Sequence, residues 1–138
     1  MTTHDRNTIR ITRRLREAAG YIEFGMLDHA LRSLPTEELG VWEGPTLFLR
    51  GQILTALGNL PEAAASFRRA AEVSNYPHDR IAWLALSHCL RRAGDLDGAV
   101  HYLGRARGAF SRHLFLTAER STAIPPPNAR RPEKEGTS

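Results

Sequence analysis

Cysteine is almost missing from this chain. Cys89 is the only one, so no intramolecular disulfide framework can form, and a lone thiol fits a reducing compartment. Lysine is almost missing too: eighteen of the nineteen basic residues are Arg, and Lys134 stands alone. No run of about 18 apolar residues occurs, which excludes a transmembrane helix. No apolar leader core follows Met1–Asn7, so a secretory signal is not expected, and the chain reads as cytoplasmic. The chain has six histidines but none of the usual metal spacings. His88 and Cys89 are neighbours, about 100° apart around a helix, and His101 and His113 are separated by a helix and a turn. No metal ion and no cofactor are therefore expected. The glycine-flanked stretch Gly104–Gly108 lacks the Lys-Ser/Thr element of a phosphate loop. Asp95 and Asp97 are spaced for capping and for the helix N-terminal dipole rather than for acid–base work. Nothing suggests a catalytic set, and an enzyme is not expected.

What is present is a chain of 138 residues, 41% hydrophobic and 25% charged, which suits one folded domain. It contains a repeat. Tyr21, Leu54 and Leu90 are each followed four residues later by Gly25, Gly58 and Gly94. Leu27, Leu60 and Leu96 come two residues after those glycines, and Ala30, Ala63 and Ala99 three further on. The glycines are 33 and then 36 residues apart, close to the ~34 residues of one helix–turn–helix repeat. Glycine suits the residue just past a helix, where the backbone turns left-handed. Asn59 and Asp95 are placed to cap the next helix, and Pro61 is tolerated in its first turn. The alanines let two antiparallel helices approach closely. Apolar residues at spacings of three and four, such as Trp83, Leu86 and Leu90 or Ala99, Leu103 and Ala106, give each helix a core face.

The pattern resembles the tetratricopeptide repeat family. Its preferred positions are met in the third repeat by Trp83, Leu86, Ser87, Leu90, Gly94, Leu96, Ala99, Leu103 and Ala106. In the second they are met by Leu47, Gly51, Leu54, Gly58, Leu60, Ala63, Phe67 and Ala70. The first repeat is degraded: Tyr21, Gly25, Leu27, Ala30 and Leu34 fit, while Arg14 and Glu17 replace apolar residues. The resemblance implies an all-α fold, an α-solenoid of three helix–turn–helix pairs. Repeats at about 11–44, 44–77 and 80–111 would form a domain over residues 8–120, after a flexible segment 1–7. Helices are expected near Thr8–Phe24, Met26–Leu34, Pro45–Leu57, Pro61–Val73, His78–Ala93 and Asp95–Ala109. The long connection Pro35–Gly44 would return Trp42 onto the helices, a short helix Ser111–Arg120 would cap the last apolar face, and 121–138 would be a disordered, Pro-rich tail.

In this family the first helix of each pair lines a concave groove. Carried over position by position, the resemblance implies groove residues Leu15, Ala19, Phe48, Gln52, Thr55, Leu84, His88, Arg91 and Arg92. Leu15, Phe48 and Leu84 share one repeat position and would make an apolar stripe, closed at one end by two arginines. Such a groove would hold a protein or peptide partner with an acidic end. The positions of the two-carboxylate clamp of heat-shock co-chaperones hold Leu15, Ala19, Leu49, Ile81 and Ala85, which cannot grip a carboxylate. The expected function is a bacterial-type, non-enzymatic adaptor or scaffold for protein–protein interaction. The alternatives are a self-assembling structural module (a homo-oligomer) and a secretion-type chaperone. Nucleic acid is disfavoured. Arg6, Arg10, Arg13, Arg14 and Arg16 crowd the first helix, but the net charge is only +4 and acidic residues dominate 21–66.

Overall fold

The structure, a computed structural model, describes residues 2–122. Six helices follow one another: α1 Thr3–Glu23, α2 Leu27–Ser33, α3 Glu43–Ala56, α4 Leu60–Val73, α5 His78–Arg92 and α6 Leu96–Thr122. A single 3-10 turn, Gly40–Trp42, leads into α3. No strand occurs among the described residues. The protein is an all-α solenoid of three helix pairs, each helix packed on the next.

The three within-pair turns share one construction. Gly25, Gly58 and Gly94 sit at φ of 72°, 84° and 89°. That left-handed step carries the next residue's N–H back to a carbonyl five residues earlier: Met26 donates to Tyr21 (2.8 Å), Asn59 to Leu54 (2.9 Å) and Asp95 to Leu90 (2.9 Å). Three helix ends are thereby satisfied by the same double-bonded motif. The starts of the second helices differ. Asp95 caps α6 by accepting from the Gly98 N–H at 2.9 Å. Asn59 occupies the cap position of α4 but makes no side-chain cap bond.

Where two helices must approach, small residues make the space. Ala18, Ala30 and Ala63 are wholly buried. A Cβ on Gly51 would lie 2.7 Å from the Phe67 ring, so α3 and α4 meet this closely only because Gly51 has no side chain. One repeat later the matching pair is Ser87 and Leu103. The smaller partner leaves room for the Ser87 hydroxyl, which donates to the Ala99 carbonyl at 2.7 Å.

Three expected boundaries move. The first helix begins at Thr3 rather than Thr8, because Thr2 and Asp5 form a reciprocal capping box. The second ends at Ser33, with Leu34 extended at ψ 140°, the backbone that a following proline imposes. The expected separate capping helix at 111–120 is instead the continuation of α6, which runs unbroken from Leu96 to Thr122. No proline interrupts the chain there until Pro125. The Pro-rich tail expectation lies, beyond Thr122, outside the described residues.

Candidate partner-binding groove

The first helices of the three pairs, α1, α3 and α5, contribute to one open cleft of about 370 Å³. Leu15 comes from α1, Pro45, Phe48, Leu49 and Gln52 from α3, and Ile81 from α5. Its floor and end are closed by Ala70 of α4, by Ser74 just past its end, and by His78 and Ala82 of α5. Phe48 is held from behind by Phe67, edge to face at 5.4 Å, which presents its ring at a defined angle. Gly44 lets the end of α4 close the cleft: any Cβ there would collide with the Ser74 hydroxyl.

Gln52 also lines a second, adjoining cleft with Thr55, Ala85, His88 and Arg92. The two openings share that one exposed side chain, so the polar, basic lining of the second lies next to the apolar floor of the first. The Thr55 hydroxyl is occupied by the Gly51 carbonyl at 2.7 Å. Cys89 forms part of the second cleft's wall but is buried, its thiol pointing to the Leu60 carbonyl at 3.4 Å. Burial pushes that thiol's pKa up, with Thr55 and Arg92 opposing. A protonated, shielded thiol is a packing group rather than a nucleophile.

Six of the nine groove residues expected from the repeat pattern, Leu15, Phe48, Gln52, Thr55, His88 and Arg92, line these two clefts. The other three stand elsewhere. Leu84 is half-buried and packs onto the core around Trp83 and Leu86, and Ile81, one turn earlier and 45% exposed, takes the apolar place on α5. Ala19 and Arg91 are exposed and line neither cleft. Leu49, Ser74 and His78 are wall residues that the positional pattern omits. Two of them lie at the junction between repeats, and no single-repeat motif describes that junction.

Among the described residues no three His, Cys, Asp or Glu side chains gather where they could hold a metal ion. No helix there is long and apolar enough to cross a membrane. The basic residues of α1 are mostly solvent-facing, and Arg13 reaches Glu17 at 3.9 Å.

Comparison with known families agrees with this architecture. A family model described as tetratricopeptide repeat matches residues 48–113. No curated protein and no solved structure matches the chain.

Proposed function

We propose that this chain, whose residues 48–113 belong to the tetratricopeptide repeat family, is a non-enzymatic adaptor that holds an extended segment of a partner protein in the cleft between α1, α3 and α5. Such repeats generally mediate protein–protein interaction. The observation that carries the reading is the shape of the cleft. Three successive repeats each offer apolar side chains to one opening, which then continues through Gln52 to His88 and Arg92. An apolar floor rewards buried anchors on a peptide, and the exposed guanidinium at one end suits a carboxylate. A partner with two or three apolar residues followed by an acidic end fits this order.

The test starts from partner chains that co-purify with the protein from its native cells. Binding of the identified segment is then measured against Ile81→Glu and Arg92→Glu. Ile81 is half-exposed, so its replacement leaves the core intact. Ile81→Glu should weaken binding by at least about tenfold, the loss expected for one buried aliphatic anchor. Arg92→Glu should weaken it chiefly at low salt. Unchanged affinity in Ile81→Glu, with helical circular dichroism retained, would remove the cleft from the binding site.

A further inference from the structure

The cleft between α1, α3 and α5 uses one face of α3. Toward the opposite face lies another opening of about 370 Å³. It sits between the end of α2, the 34–39 connection and α3, with Arg69 of α4 at its edge. Leu31, Leu34, Leu39 and Leu47 give it apolar walls. Thr46 lines it too and is only 5% exposed, yet among the described residues its buried hydroxyl meets no hydrogen-bond partner. Native structures rarely leave such a group unpaired. Three arginines border the same opening, Arg32, Arg50 and Arg69, against one carboxylate, Glu43. Arg69 already holds Glu43 at 3.5 Å. Arg32 and Arg50 are exposed and make no ion pair among the described residues. The opening is therefore apolar along its walls, basic in its charge, and short of one acceptor.

We propose that this opening binds a small amphipathic oxyanion, a carboxylate or phosphate-monoester head on a short apolar body. The head accepts from the Thr46 hydroxyl and from the Arg50 guanidinium. Those two residues are four apart on α3, so they stand on one face with Cβ atoms about 6 Å apart. One head group can meet both. Arg32 stands on the α2 side of the opening and adds a second cation. The body lies against the leucines, which a bare inorganic anion would leave wet. The charges select the sign of the head. With Glu43 matched by Arg69, the two remaining arginines repel an amine. A neutral hydroxyl could satisfy Thr46 but would leave both guanidiniums without a charged acceptor. The volume lies at the small end of the range for small-molecule sites. Such an occupant would touch α2 and α3 together and so tie the first repeat to the second. Phe48 and Gln52 point α3 toward the groove, whereas Thr46 and Arg50 stand more than 100° away around the same helix. The site therefore does not rest on the groove being a partner site, and either can fail without the other.

Titration calorimetry of the full chain with octanoate, octyl phosphate, octylamine and octanol tests this. At least one of the two anions should bind saturably, one molecule per chain, and the tighter of them names the head. Octanol and octylamine should bind at least about tenfold more weakly. No saturable binding of either anion, or equal binding of octanol or octylamine, overturns the proposal. Arg50→Gln alters an exposed residue and should weaken the tighter anion at least about tenfold. Thr46→Val keeps the shape of the side chain and should weaken it by a similar factor. Because the hydroxyl has no partner in the free chain, Thr46→Val should not lower the melting temperature. Unchanged affinity in either variant overturns the proposal, and so does a lowered melting temperature in Thr46→Val, since the hydroxyl would then already be bonded. Ile81→Glu should leave the anion's affinity unchanged. Loss of binding there would place the anion in the groove and overturn the site.

Discussion

Between α4 and α5 the solenoid is continuous, whereas between α2 and α3 it is barely joined. In the first case one core runs across the junction. Leu54, Phe67, Ala70 and Ala71 from α3 and α4 share it with Ala82, Trp83, Leu86 and Cys89 from α5 and with Ala106 from α6. α4 lies along α5 for much of its length. In the second case a separate, smaller core holds Ala18, Ala30, Leu34 and Ile53. Ile53 is the one buried side chain that α3 gives it, and α1 and α2 touch α3 lightly. The cause is local. Pro35 ends α2 after seven residues, so the first repeat never grows the long second helix that would lie against its neighbour. The chain spends residues 34–42 returning along α1 instead, where the Asn7 side chain donates to the Glu38 carbonyl at 3.3 Å. In a solenoid, stability is a sum of repeats and junctions, so these two junctions should fail separately.

The largest effects come from removing the keystone of each. Phe67→Ala should cost about 3–5 kcal/mol and lower the melting of α3–α6 as one unit. Ile53→Ala should cost about 2–5 kcal/mol, but mainly by releasing α1 and α2. The chain carries one tryptophan on each side of the divide, Trp42 before α3 and Trp83 in the larger core. In Ile53→Ala the fluorescence of Trp42, read with Trp83 replaced by Phe, should change at lower denaturant than that of Trp83, read with Trp42 replaced by Phe. Coincident transitions would mean the two cores are one cooperative body.

The two regions also differ in how far they can be read from residues alone. Gly25, Gly58 and Gly94 mark their turns directly, because a left-handed step is a local demand that glycine meets without neighbours. Asp95 reads as a cap and acts as one. The end of α2 is equally local, since Pro35 dictates an extended Leu34. The thinness of the first junction is not local. Arg14 and Glu17 show that the first repeat departs from the pattern, but how little of α3 reaches α1 and α2 depends on where the 34–42 connection runs. The cleft shows the same division. Leu15, Phe48, Gln52 and Ile81 follow from repeat position, while the withdrawal of Leu84 onto the core depends on how α5 packs against its neighbours. The length of α6 was hidden for another reason. The repeat pattern ends near residue 111, but no proline stands there to stop the helix.

The next effects test the close approaches inside the larger body. Gly51→Ala places a methyl against the Phe67 ring and should cost about 1–3 kcal/mol, despite alanine's better helix propensity. Ala63→Leu, at a wholly buried site, should cost a similar amount. Ser87→Ala at the equivalent position of the next repeat should cost only about 0.5–1.5 kcal/mol, the value of its bond to Ala99. Chemical denaturation that ranked Ser87→Ala above Gly51→Ala would show that the glycine is not needed for the approach.

The smallest effect is one of acidity, and it should fall on the first region alone. Among the described residues two carboxylates are held below their ordinary range, and both lie there. Asp5 is lowered by its hydrogen bonds to the Thr2 hydroxyl, at 2.7 Å, and then to the Thr2 backbone N–H. Glu37 is lowered by its own backbone N–H, by the Thr36 N–H at 3.2 Å, and by the charges of Arg14 and Arg10, against some desolvation. A carboxyl depressed in the folded state contributes stability above its unfolded pKa, and that contribution is lost as pH falls through the folded value. The loss should therefore begin as pH falls into the usual carboxylate range, reach completion only below it, and loosen the start of α1 and the 34–42 connection. Acid titration followed through Trp42 should show the change before Trp83 reports any. Glu37→Gln should flatten much of the Trp42 response while leaving the neutral-pH melting of α3–α6 in place. If Trp83 responds first, the weaker junction is not the acid-sensitive one, and the contrast between the two halves rests on packing alone.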